Sequence, residues 1–382
     1  MGWRIPLADI DFGPEEEQAV QAVLRRRWVS MGEETQLFEA EFAQFLGAPH
    51  AIAVTNATAA LHLACLAVGL GPGDEVIVPS LTFVATANAI RYTGALPVFA
   101  DIESARQLTV SPDAIRDRIT PRTRAIMVMH YAGYACDMPA ILELARQHRL
   151  TVLEDAAHSI GAELDGRRLG TWGDIACFSF FANKNMTTGE GGMLTTGDGN
   201  AAEQLRRLRS HGMTSLTWDR HQGHAWSYDV PELGYNYRID ELRASLGRVQ
   251  LRKLPGNNQR RRFLTGLYRE MLAELAPQVN IPFVSAKGVS CYHIMPILLP
   301  ADADRETFMM QMKDRGVQTS IHYPPVHLLG AYRRHADGSR GSLAVTEDVA
   351  RHEVTLPLYP AMQESDVAWV VESVRMALGA QG

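Results

Sequence analysis

The sequence predicts an α/β protein built on a large, mostly parallel sheet, followed by a smaller α+β unit. Three observations carry that expectation. Short strands that are apolar throughout alternate with helix-length segments from about residue 51 to residue 196. A parallel sheet covered by helices on both faces requires that pattern. The alternation changes character near Pro255–Asn258. The chain, at 382 residues with 46% hydrophobic and 21% charged residues, can bury one large core and a smaller one. The division expected is therefore 1–255 for the large unit, with N-terminal helices, and 256–382 for the small one.

Two amphipathic helices open the chain. Pro14 to Arg27 carries acids first and arginines last, the order that the helix dipole favours. Glu33–Leu46 places Leu37, Phe38, Phe42 and Phe45 on one side and stops at Gly47. Then come "AIAV" (51–54) before "TAALHLACLAVGL", "EVIVP" (75–79) before "TFVATANAIRYTG", and "LPVFAD" (96–101) before a Pro-started helix at 112. "RAIMVMH" (124–130) precedes "MPAILELARQH", and "TVLED" (151–155), "ACFSFF" and "GMLTT" (192–196) add three strands. The small unit is expected to hold a helix from about 259 to 275, a strand over 291–299 and a helix over 303–315, followed by "VQTSIHY".

Composition excludes several functions. A net charge of −6 does not suit a polyanion binder, and the basic runs Arg25–Arg27 and Arg260–Arg262 fall at expected helix ends. Four cysteines without C-x-x-C spacing read as buried free thiols rather than disulfides or zinc ligands. "MGWRIP" lacks a signal-peptide hydrophobic region, and no apolar run approaches a membrane span. A soluble, cytoplasmic protein is expected, with no nucleic acid, membrane or metal partner.

In a parallel sheet ligands bind beyond the carboxyl ends of the strands, and three features fall there. "VTNATAALH" puts Thr58 at a helix start, either as a phosphate site or as part of an ordinary N-cap. "EDAAHS" ends a strand at Asp155, with His158 three residues on; the aspartate either holds a protonated ring nitrogen or caps a helix. In "FSFFANKNMTTGEGG" (178–192), Ser179 points away from Phe178 and Phe180. Lys184 follows the strand, as a solvated loop lysine or as an amine whose proton is loosened by desolvation. Phe83, after "PSLT", is a flat face or a core aromatic. Together an anion cradle, a ring-nitrogen partner, a stacking face and an amine are the set that pyridoxal phosphate (PLP) requires.

With these motifs in order, the chain resembles the DegT/StrS family of PLP-dependent aminotransferases, of PLP fold type I. The resemblance rests on "FEAEFAQFLGAPHAIAVTNATAALHLA", "GPGDEVIVPSLTFVATANAI", "TRAIMVMHYAG", "EDAAHSIGA", "GDIACFSFFANKNMTTGEGG", "LGYNYRIDELRASLG" and "HYPPVH". It implies an aspartate-aminotransferase-like fold, with Lys184 as the Schiff-base lysine and Asp155 on the pyridinium nitrogen. It implies His158 beside the ring near its hydroxyl, Phe83 stacked on the ring, and Thr58, Ala59 and Ser179 on the phosphate. Asn236, in "GYNYR", would reach the phosphate of a neighbouring subunit, so the active site would be shared in a homodimer. The implied reaction passes an amino group from L-glutamate to a keto-sugar nucleotide. A cyclitol ketone is the alternative acceptor; a sugar dehydratase and a non-catalytic PLP-binding sensor are the remaining readings. Lysine at 184, where dehydrating relatives have histidine, speaks against the dehydratase. Ala57 and Asn183 depart from the glycine and threonine that are common in the family. The segment 211–229 reads as a substrate-facing loop, and its His221 and His224 lack companions for a metal site. His322 and His327 either line the substrate entrance or brace a Pro-rich turn.

Overall fold

The computed structural model describes residues 2–215, 223, 227–333 and 343–379. Seven strands form the main sheet: β1 (His50–Val54), β2 (Glu75–Pro79), β3 (Leu96–Ala100), β4 (Thr123–Met129), β5 (Thr151–Asp155), β6 (Ile175–Ser179) and β7 (Gly192–Thr196). Their spatial order is β1-β7-β6-β5-β4-β2-β3. β7 runs antiparallel to both neighbours, whereas the β6–β5, β5–β4, β4–β2 and β2–β3 pairs are parallel. The fold is thus the α/β type with a mixed, mostly parallel sheet. Its carboxyl edge gathers Asp155, Ser179 and the segments that follow β1 and β2.

Helices α1 (Pro14–Arg26) and α2 (Glu33–Leu46) match the expected bounds to within a residue, but Leu37, expected on the apolar side of α2, is exposed. The start of α2 has no side-chain cap of its own. Glu241 supplies one from afar, its carboxylate accepting the N–H groups of Gly32, Glu34 and Thr35 and the Thr35 hydroxyl. Three backbone N–H groups at the helix start and one hydroxyl are satisfied by one buried acid. Phe38 and Phe42 of α2 pack on Phe178 and Phe180 of the β6 segment with ring centroids 5.1–5.6 Å apart. Each such buried ring contributes about 1.5–3 kcal/mol. Because that face of β6 is committed to the core, Ser179 faces the other way.

Helices α3 (Ala57–Ala67), α4 (Val84–Tyr92), α5 (Met138–His148) and α6 (Gly199–Leu208) cover the sheet. The long α7 (Glu241–Leu275) is a correction to expectation, since it runs without a break through Pro255 rather than starting near 259. A proline inside a helix costs about 3 kcal/mol. Burial outweighs that cost here, with Leu251 and Leu254 packed on the α2 side and Leu264, Tyr268 and Leu272 in a second core. That core also takes in strands β8 (Met295–Leu298) and β9 (Glu353–Leu356), paired antiparallel, and helices α8 (Arg305–Asp314) and α10 (Glu364–Gly379), with α9 (Ala344–His352) leading into β9. The strand expected over 291–299 is shorter than that. Tyr292 sits at φ +51°, which breaks the extended run, and His293 N–H bonds to Ala132 O at 3.0 Å instead of to a strand partner.

All four cysteines are free and buried, as expected. No helix of the described residues is long and apolar enough to cross a membrane.

Candidate active site

Beyond the carboxyl edge of the sheet lies a cavity of about 500 Å³. Around the main sheet its walls include Thr58, Phe83, Asp155, His158, Ser179 and Lys184, and Ser320 to Tyr323 close it from much later in the chain. Thr58, Asp155, Ser179 and Lys184 are brought to one space because the strands before them end on the same edge.

The β6 segment turns after Ser179. The Lys184 N–H bonds to Phe181 O at 2.9 Å, Thr188 N–H to Phe180 O at 3.0 Å, and Gly189 turns at φ +77°. Gly192 then passes so close to the start of α3 that a Cβ there would lie 2.6 Å from the Asn56 carbonyl carbon. The glycines therefore serve a turn and a close approach. Glu190 also lines the cavity. Burial pulls the Lys184 ammonium down to about 8, against the opposing pull of Asp155 and Cys291.

Asp155 closes β5, buried. Its Oδ2 accepts the Thr86 hydroxyl at 2.7 Å, and Oδ1 accepts the Ala157 N–H at 3.1 Å. Burial raises its pKa in spite of these bonds and of the Lys184 charge. A carboxylate in this state gains most from a cationic N–H donor. His158 Nε2 lies 2.9 Å from the Tyr323 hydroxyl, while its Nδ1 is buried without a partner. Burial, Lys184 and His322 hold this imidazole neutral. Phe83 caps α4 and is 53% exposed, its ring 5.8 Å from that of Tyr323, so one face is open to the cavity.

The residues expected at a phosphate are not all in the cavity. Thr58 and Ser179 line the cavity, but Ala59 does not, and its N–H is taken at 2.8 Å by the Asn56 side chain. The helix start is capped by Asn56, and Thr58 beside it faces the cavity. Asn236 is exposed, pairs through its backbone with Ser210, and is not among the cavity residues of its own chain. The two histidines of "HYPPVH" divide the roles. His322 lines the cavity, whereas His327 braces the turn through Ser80 Oγ at 2.6 Å. Most of the segment 216–226, with His221 and His224, lies outside the described residues.

Sequence reasoning missed Thr86, Tyr323 and His293, whose imidazole Nε2 is 3.4 Å from Lys184 Nζ. Asn183 Oδ1 is a further buried acceptor without a partner in the cavity.

The residues present suit PLP on these grounds: a loosened lysine amine, a buried acid awaiting a cation, a helix start beside a strand-end hydroxyl, and an orphaned imidazole nitrogen. Fold and site define a class, the transaminase-type α/β enzyme. The chain belongs to the DegT/DnrJ/EryC1/StrS aminotransferase family, whose description it matches over residues 11–375. It is 41% identical over 369 residues, 95% of this chain and 94% of the other, to the spore coat polysaccharide biosynthesis protein SpsC of Bacillus subtilis. Among solved structures it resembles the aminotransferase TlmJ of Streptoalloteichus hindustanus at TM-score 0.91 and 37% identity, covering 99% of each chain. It resembles S. venezuelae DesV, solved in complex with a ketimine intermediate, at TM-score 0.90 and 35% identity, covering 98% of each. The protein is therefore an enzyme, a transaminase of a family whose members include sugar aminotransferases.

Proposed function

We propose that the protein uses PLP to move an amino group from L-glutamate to the keto group of a sugar nucleotide in amino-sugar biosynthesis. The observation that carries this reading is that one cavity holds the loosened Lys184 amine and the buried Asp155 carboxyl at adjacent strand ends. Lys184 would bind the cofactor aldehyde, Asp155 its ring nitrogen, and His158 would stand near its hydroxyl. Phe83 would cover one ring face, and Thr58 and Ser179 would hold the phosphate, with Ala59 securing the helix start through the Asn56 cap. Asn236 would serve the phosphate of a second copy, which makes the working unit a homodimer. The division of the chain at residue 255 belongs to the same proposal, with α7 bridging the two units.

PLP, when bound, supplies an electrophilic carbonyl and an electron sink. The rest falls to the protein. Asp155, ionised, would hold a proton on the ring nitrogen. Lys184 Nζ, once free, would act as the base and acid that moves the donor's proton, a task suited to an amine that burial pulls down to about 8. The walls around Asp155 and His158 exclude water and so strengthen each of these contacts.

A glutamate-coupled assay across keto-sugar nucleotides and inososes tests the acceptor. Turnover of a nucleotide sugar is expected. Turnover of an inosose alone would transfer the reading to the cyclitol alternative, and no turnover with either would contradict both.

A further inference from the structure

His293 has no part in the reading above, yet its ring meets the amine on which that reading depends. The orientation of this ring is fixed by a one-way series of hydrogen bonds. Asn185 Nδ2 lies 2.8 Å from Cys291 O and 2.8 Å from Asn258 Oδ1. A backbone carbonyl can only accept, so that atom of Asn185 is its nitrogen. Asn258 is oriented in the same way, because its Nδ2 donates to Ile160 O at 3.0 Å. The remaining Asn185 atom, Oδ1, faces His293 Nδ1 at 2.9 Å and can only accept. The imidazole proton therefore sits on Nδ1. His293 carries no second proton, since burial, followed by the nearby His158, Lys184, Arg261 and His322, holds its pKa well below the usual value. Nε2 is left as a lone pair, 3.4 Å from Lys184 Nζ.

The mount is rigid on every side. His293 N–H bonds to Ala132 O at 3.0 Å, and Arg261 donates to His293 O at 3.1 Å. The rings of His158 and His293 lie 4.2 Å apart, which leaves the imidazole little freedom to turn over.

We infer that His293 is a positioning residue for Lys184: its Nε2 lone pair, held in place by Asn185 and Asn258, accepts a hydrogen from the lysine amine whenever that amine is released from the cofactor. This inference rests on the assignment of Lys184 as the cofactor lysine. A flexible lysine stem loses much rotamer freedom when it is held in one place. A fixed neutral acceptor holds the amine close to the position where it must take up a proton and, later, recapture the cofactor. An acceptor is also the correct partner chemically. An N–H at this position would compete for the lone pair of the amine and oppose its ammonium form. The Asn185 side chain, immediately after Lys184 in sequence, thus sets the polarity of a ring 108 residues away.

The test uses the PLP-loaded enzyme with ¹⁵N-labelled histidine, His293→Gln identifying the resonance. The expected wild-type result is a neutral imidazole protonated on Nδ1, and Asn185→Leu should move the proton to Nε2. A wild-type His293 protonated on Nε2, or on both nitrogens, overturns the inference without any variant having to fold. A second readout is the half-reaction with L-glutamate alone. His293→Phe should slow it about 10- to 100-fold, the worth of one hydrogen bond to a charged group, with KM for glutamate little changed. His293→Gln, whose side-chain oxygen can accept, should restore most of the rate. An unchanged rate in His293→Phe also overturns the inference. Failure of the protein to bind PLP at all would instead overturn the parent reading, so the two failures are distinct.

Discussion

Two histidine environments lie on either side of Asp155, and they differ in one respect. On one side His130 Nε2 donates to Glu154 Oε2 at 2.9 Å, and Nδ1 accepts the Cys136 N–H at 3.2 Å. The same carboxylate accepts the N–H groups of Gly170 and Gly173 at 2.8 and 2.6 Å. Burial pushes Glu154 up, but His130 and the two glycine N–H groups outweigh it and hold the acid below its usual value. Every polar atom of this pair has a partner. On the other side, His158 keeps an unpartnered Nδ1, Lys184 is pulled down to about 8, and Asp155 is pushed up. His130, Glu154, Asp155 and His158 are all buried, whereas Lys184 is half-buried. The satisfied region is complete without a ligand; under the function proposed above, the unsatisfied one is where a ligand would supply the missing partners.

Substitutions on the two sides should therefore fail in different ways. The largest expected effect is on the ligand side. Asp155→Ala should lower the transamination rate by about 10²–10⁴-fold, the range for loss of a positioned proton-holding group, while thermal unfolding stays close to wild type. The reverse holds for Glu154→Gln, which puts an NH₂ among N–H donors. It should cost about 3–5 kcal/mol in chemical denaturation, because a buried pair loses one partner. That loss has a pH signature. A carboxyl held below its unfolded value of 4.5 stabilises the fold above that pH and ceases to do so as pH falls through the folded value. The gap between wild type and Glu154→Gln should thus narrow below about pH 4.5; a gap independent of pH would show that Glu154 is not ionised in the fold. The smallest effect is expected at the border between the regions. Thr86→Val removes a hydroxyl from Asp155 and should cost about 1–2 kcal/mol, with a smaller fall in rate than Asp155→Ala.

One side of this contrast is legible in the sequence, but neither its partners nor the His130–Glu154 pair is. Asp155, Ser179 and Lys184 could be placed because strand ends in a parallel sheet are legible from apolar runs, and the alternation about Ser179 survives in the structure. The partners could not be placed. Thr86 meets Asp155 across 69 residues and His293 meets Lys184 across 109, distances that only the closed fold specifies. The run "CYHIMPILL" read as one strand because its apolar pattern is strong, yet its first half is diverted to mount His293. Pro255 read as a break because local propensity was given more weight than the two cores that α7 joins.

The central claim is that Lys184 is the amine that meets the cofactor. The chain has four lysines, so the alternatives are Lys253, Lys287 and Lys313. Borohydride reduction of the PLP-loaded protein, followed by digestion and mass spectrometry, should find the cofactor on the peptide containing Lys184, and Lys184→Ala should abolish it. An adduct on another lysine, or none in a protein that carries the cofactor, would contradict the account.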